Sequence, residues 1–106
     1  MTKTIMLVCN AGMSTSLLVT KMQKAAEDQG IETEIFAVSS AEAEEKMESK
    51  PIDIVMLGPQ VRFLEKDYRS RLEPKGVPVV AINMTDYGLM KGDRVLAQAI
   101  KLIDKE

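Results

Sequence analysis

Two kinds of apolar pattern alternate along this chain, and that alternation limits its fold more than any other feature. Ile5-Met6-Leu7-Val8 is a continuous apolar run of the kind that strands show when both faces are buried, so residues about 3–8 are predicted as a strand of a parallel sheet. From about Ser14 to Gln29 the period changes: Leu18, Met22, Ala25 and Ala26 share one helical face, while Lys21, Lys24, Glu27 and Asp28 fall elsewhere. Gly30 stands where a helix end favours a left-handed residue. Residues 31–38 read as a second strand centred on Ile35 and Phe36, with Glu32 and Glu34 alternating as on a sheet edge. Ser39 and Glu42 have the spacing of a capping box that opens a short helix to about Ser49.

Pro51 ends that helix, and residues 52–57 form a third strand closed by Gly58-Pro59. A third helix is predicted on the stripe Val61, Leu64, Tyr68 and Leu72, with Glu65/Arg69 and Asp67/Arg71 as ion pairs one turn apart on its wet side. Pro74 and Gly76 break the chain, and residues 78–82 make a fourth strand. A loop carrying Asp86-Tyr87-Gly88 and Gly92 leads to a last helix from about Asp93, with Leu96, Ala99, Ile100 and Ile103 inward.

The order βαβαβαβα predicts an α/β fold: a three-layer, open, four-stranded parallel sheet with helices on both faces and right-handed crossovers. At 106 residues the chain is expected to form a single domain over 1–106, with room for one core. Hydrophobic residues are 45% and charged residues 28%, the profile of an ordinary globular protein. A formal charge of −2 gives no basic field for a phosphate backbone, and two Tyr, two Phe and no Trp leave little for base stacking, so nucleic acid is not an expected partner. One cysteine makes no internal disulfide, and no apolar leader with a small-residue cleavage site precedes the first strand, so a cytoplasmic protein is expected. The longest apolar runs, near residues 5–8 and 77–82, fall far below the roughly 20 residues of a membrane-spanning helix; contact with a membrane is expected only through a partner. Histidine is absent, which removes the commonest general base and the commonest metal ligand together.

Cys9 ends the first predicted strand, and Asn10-Ala11-Gly12-Met13-Ser14-Thr15-Ser16 connects it to the first helix. A strand that passes through such a turn into a helix aims backbone N–H groups and the positive end of the helix dipole at one spot just beyond the strand. These donors favour negative charge on the sulfur and still more a phosphoryl group attached to it. The connection contains no Lys, Arg or His, so the available donors are the N–H groups of residues about 11–16 and the hydroxyls of Ser14, Thr15 and Ser16. Gly12 permits close backbone approach and a positive φ if the turn needs one. Taken alone, a cysteine such as Cys9 is more often a small apolar residue at the end of a buried strand, and each hydroxyl reads equally as a helix cap.

The run Cys9-Asn10-Ala11-Gly12-Met13-Ser14-Thr15-Ser16-Leu17-Leu18-Val19 resembles the phosphocysteine loop of the enzyme IIB components of bacterial sugar phosphotransferase systems, in their lactose/cellobiose/chitobiose type. Chain length, Leu57-Gly58-Pro59-Gln60 and Tyr87-Gly88 also look like that family, so the resemblance spans nearly the whole chain. It implies the strand order 2-1-3-4, a fold resembling low-molecular-weight tyrosine phosphatases, and the loop at the switch-point crevice of the sheet. It implies Cys9 as the nucleophile and Asn10, Ala11, Gly12, Met13, Ser14, Thr15 and Ser16 as the phosphate-binding residues. It also implies two partners: an enzyme IIA whose phosphohistidine is the donor, and a membrane enzyme IIC presenting a disaccharide such as cellobiose, lactose or diacetylchitobiose. No metal or organic cofactor is implied. A face for both partners is expected from Met13 and Leu17, with Gln60, Asp86 and Tyr87 around its rim.

Two other activities fit a cysteine loop of this kind. A phosphatase-like hydrolase is the first, but the phosphatase loop is Cys-x5-Arg, and the sixth position after Cys9 is Thr15. Asp86-Tyr87 faintly resembles the phosphatase acid loop, although an aspartate there also reads as a solvated turn residue. Arsenate reduction recruits further thiols that this chain lacks. The second is a regulator whose phospho-Cys9 state acts on a partner without sugar transfer.

Overall fold

A computed structural model of the protein describes residues 2–9 and 13–104. Strands β1 (Lys3–Cys9), β2 (Thr33–Ser39), β3 (Ile54–Leu57) and β4 (Val79–Ala81) form one parallel sheet in the order β2-β1-β3-β4. The helices are α1 (Met13–Asp28), α2 (Ser40–Ser49), α3 (Glu65–Leu72), α4 (Met84–Gly88) and α5 (Gly92–Asp104). β1 and β3 lie side by side at the centre, with Ile5 opposite Ile54 and Val8 opposite Leu57. From β1 the chain goes first to β2 on one side and later to β3 on the other, so the crevice of the sheet opens at the carboxyl end of β1.

The continuous apolar runs are explained by two cores. Ile5 and Leu7 of β1, with Ile54 and Met56 of β3, meet Leu18, Met22 and Ala26 of α1 and Val95, Leu96 and Ala99 of α5. Met6 and Val8, with Val55 and Leu57, meet Ala43 of α2 and Tyr68 and Leu72 of α3 on the opposite face. Successive residues of a strand point to opposite faces, so a central strand must be apolar at every position. Each buried Leu, Ile or Met stabilises the fold by about 1.5–3 kcal/mol relative to exposure. On α5 it is Val95 that joins Leu96 and Ala99 in full burial, while Ile100 and Ile103 stay half-buried against them.

The ends of the elements follow local chemistry. Gly30 takes φ +70°, its N–H bonds to the Glu27 carbonyl and the N–H of Ile31 bonds to the Ala26 carbonyl, which closes α1 with a Schellman motif. β2 is an edge strand, and the Gln23 side chain donates to its outward Ile35 carbonyl at 3.0 Å. At the opposite edge, Arg69 Nε donates to the Val79 carbonyl at 3.1 Å and Gln98 Nε2 to the Ala81 carbonyl at 3.5 Å.

Three local expectations are corrected. Ser39 occupies the N-cap of α2, but its hydroxyl bonds the Glu42 carboxylate at 3.2 Å and makes no bond to the helix backbone. The third helix does not begin at Val61: Pro59–Leu64 is a 3₁₀ helix in which Val61 is non-helical (φ −122°, ψ 22°), and the α-helix starts at Glu65. Proline starts a helix well but donates no bond, and Val61 leaves the helical path to bury its side chain against the sheet. Finally, residues 84–88 are the helix α4 rather than a loop, because the Asn83 side chain accepts a bond from the Asp86 N–H at 3.0 Å and caps it.

Candidate active site

Cys9 is the last residue of β1 and pairs in register with Ser39 of β2. Its side chain is only 4% exposed, and Sγ lies 3.7 Å from the Val38 carbonyl oxygen. α1 opens at Met13 shortly after β1 ends, and the N–H groups of a helix's first turn have no acceptor within the helix itself. Asn10, Ala11 and Gly12, and the side chains of Met13 and Ser14, lie outside the described residues.

Thr15 is 1% exposed, and its Oγ1 shares a 2.9 Å hydrogen bond with the Tyr87 hydroxyl. Ser16 is exposed on the next position, and its carbonyl accepts from the Thr20 hydroxyl at 3.2 Å. Gly58 follows β3, donates its N–H to the Val8 carbonyl at 2.9 Å, and lies beside the Tyr87 ring: a β-carbon on Gly58 would stand 3.8 Å from Tyr87 Cε2 and 3.4 Å from the Val8 oxygen. The Tyr87 ring therefore rests next to the place where β1 and β3 leave the sheet.

Of the residues expected on the partner face and around its rim, those described divide into two groups. Leu17, 51% exposed, and Gln60 face solvent. Tyr87 does not form a rim: it is 8% exposed and turns inward into the core between the sheet and α1 and α5. The cap from Asn83 sets the turn of α4 so that its ring points to the sheet. Asp86 is largely shielded, with Oδ1 3.0 Å from Arg94 Nε, so its carboxylate is held to α5. Two exposed apolar side chains at the same end of the sheet escaped sequence reasoning. Phe63 is 77% exposed on the 3₁₀ helix after β3, and Met84 opens α4 with its sulfur 3.5 Å from Arg62 Nη1. The signal for Phe63 was its place off the stripe of Val61, Leu64, Tyr68 and Leu72. Among the described residues no cluster of three or more His, Cys, Asp or Glu could hold a metal ion.

A parallel α/β sheet of order β2-β1-β3-β4, with a thiol where the central strand hands over to α1, defines the protein class: a cysteine-loop protein with the low-molecular-weight-phosphatase type of fold. Within that class, residues 4–98 match the model of the lactose/cellobiose-specific IIB subunit of the PTS system, and the chain belongs to that family, a component of the sugar phosphotransferase system. It is 50% identical over 106 residues to the PTS system cellobiose-specific EIIB component of Lactococcus lactis subsp. lactis (strain IL1403), covering 96% of this chain and 97% of that one. It is 49% identical over 106 residues, with the same coverage of 96% and 97%, to the PTS system galactose-specific EIIB component of Lactococcus lactis subsp. cremoris (strain MG1363). The solution structure of a cellobiose-specific phosphotransferase IIB component from Borrelia burgdorferi superposes with a TM-score of 0.78 at 39% identity, covering 99% of this chain and 94% of that one.

Proposed function

We propose that the protein carries a phosphoryl group on Cys9 between two other phosphotransferase components. Sγ attacks the phosphohistidine of the cognate enzyme IIA; the P–N bond breaks as the P–S bond forms, and the thiol proton ends on the departing imidazole. A hydroxyl of a disaccharide of the cellobiose/lactose/chitobiose class, held by the membrane enzyme IIC, then attacks the phosphorus. The P–O bond forms as the P–S bond breaks, and the proton released by the hydroxyl is taken up at the sulfur, which restores the Cys9 thiol. Carrying this reading is the position of Cys9, which ends a central strand shortly before α1 opens at Met13. N–H groups fixed before the reaction stabilise the charge spread over the phosphoryl oxygens without reorganising, and hold the group for in-line attack.

Two observations favour transfer over hydrolysis. Where a phosphatase loop has its arginine this chain has Thr15, buried and bonded to Tyr87. Asp86, at the place that faintly resembles an acid loop, has its carboxylate on Arg94. Leu17, Gln60, Phe63 and Met84 are exposed on the elements that follow β1, β3 and β4, and offer partly apolar surface suited to short-lived docking of IIA and IIC in turn. No described helix is long and apolar enough to cross a membrane, and the chain is proposed to work at the cytoplasmic face of IIC. Choice of sugar falls largely to IIC, since relatives named for cellobiose and for galactose are 50% and 49% identical to this chain.

The test is intact mass after incubation with phosphoenolpyruvate and a verified active phosphotransferase relay, beside a Cys9→Ser variant. Gain of one phosphoryl group by the parent alone, discharged on adding membranes containing IIC and its disaccharide, is the expected result. Release of inorganic phosphate without sugar transfer makes the hydrolase the better reading, and phosphorylation that no disaccharide discharges makes the protein a regulator.

A further inference from the structure

The Thr15–Tyr87 hydrogen bond joins residues 72 positions apart and ties the first turn of α1 to α4. A ring in an apolar core needs no hydroxyl; phenylalanine would fill the same space. Here the phenol oxygen is carried to within 2.9 Å of Thr15 Oγ1, with the two residues 8% and 1% exposed, and each hydroxyl answers the other's desolvation. Tyr87 is in turn held on every side. Its N–H bonds the Asn83 carbonyl at 2.9 Å, the Asn83 side chain caps the Asp86 N–H, Asp86 is ion-paired with Arg94 of α5, and the ring lies beside Gly58 at the end of β3. The phenol is thus a fixed point, and Thr15 hangs the first turn of α1 on it.

We propose that Tyr87 is a positioning residue for the chemistry at Cys9. Through Thr15 it sets the rotation of the first turn of α1, and with it the direction of the N–H groups that receive the phosphoryl group. This rests on the carrier reading above. Donors fixed in the correct direction lower the barrier without changing how firmly the protein donor docks, so the loss of the phenol oxygen reaches the maximal rate and leaves the half-saturating donor concentration alone.

The experiment compares the parent with Tyr87→Phe, Thr15→Val, Thr15→Ser and the Tyr87→Phe/Thr15→Val double variant. Initial rates of Cys9 phosphorylation are measured against phospho-IIA concentration, and thermal unfolding is followed for each protein. The expected result is a loss in maximal rate on the order of tenfold for Tyr87→Phe, at unchanged half-saturation. The double variant should be no slower than Thr15→Val, since the two hydroxyls act as one unit, and Thr15→Ser should keep most of the parent rate. Parent-like maximal rates for Tyr87→Phe, losses that multiply in the double variant, or a change confined to half-saturation overturn the role of Tyr87. Should Tyr87→Phe be unfolded at the assay temperature, equal rates for Thr15→Val and Thr15→Ser overturn it instead. A parent that takes up no phosphoryl group overturns the carrier reading itself, which the variants do not.

Discussion

Gly92, the first residue of α5, meets the backbone of Lys21 in α1: a β-carbon on Gly92 would lie 2.6 Å from the Lys21 carbonyl carbon. Backbone cannot swing aside as a flexible side chain does, so the two helices approach closely only because residue 92 has no side chain. Gly92→Ala is expected to cost about 1–3 kcal/mol by forcing α5 off α1. Gly88→Ala is the control, since a β-carbon there meets nothing within 4 Å. Urea unfolding of the two variants should show a lowered midpoint for position 92 and a parent-like or slightly raised one for position 88.

Asp53 and Thr4 clamp the amino ends of β1 and β3. The Thr4 N–H donates to Asp53 Oδ2 at 2.7 Å, and the Asp53 N–H donates to the Thr4 carbonyl at 2.9 Å. Asp53→Ala leaves the Thr4 N–H without its acceptor and should destabilise by about 1–3 kcal/mol. Asp53→Asn keeps an acceptor oxygen without the charge and should lose less. Equal stability of all three proteins in urea would show that water replaces the carboxylate at no cost.

Much of this architecture is legible in the sequence because β1 and β3 are buried on both faces. Ile5 through Val8 and Ile54 through Leu57 are all fully buried, and only an unbroken apolar run satisfies that requirement. Cys9 is legible for the same reason: it stands where the run stops. The inward turn of Tyr87 is not legible. Asp86-Tyr87-Gly88 has the composition of a turn, α4 is only 5 residues long and shows no helical period, and the partner of the phenol lies at Thr15. Nor does a stripe of apolar residues reveal that Pro59–Leu64 winds as a 3₁₀ helix, since Val61, Tyr68 and Leu72 reach the core from either path.

β4 is a short edge strand whose outward carbonyls at Val79 and Ala81 take bonds from Arg69 and Gln98. An edge with free carbonyls is a template for another chain, and side chains lying over it block that pairing. A Arg69→Ala/Gln98→Ala variant should lose about 0.5–1.5 kcal/mol for each bond. It should also self-associate faster than the parent in light scattering on prolonged warming below the unfolding midpoint. Scattering that stays at the parent's level would assign these side chains to stability alone.

Tyr68 gives the alkaline limb of stability a definite sign. Burial against the sheet raises its phenol above the ordinary value of 10.0, Glu44 and Asp67 raise it further, and Arg71 offsets part of this. In the unfolded chain the phenol returns to about pH 10. Below that pH both states hold the proton, and the contribution is fully present. As pH rises past it the unfolded chain releases a proton that the folded chain keeps, so stability falls until the folded phenol also ionises, by at most about 1.4 kcal/mol per pH unit. Tyr68→Phe removes the group that titrates and should flatten this limb while leaving the neutral-pH slope as it was. Urea midpoints measured across the alkaline range decide it: parallel limbs for parent and variant would mean that the buried phenol contributes nothing to alkaline unfolding.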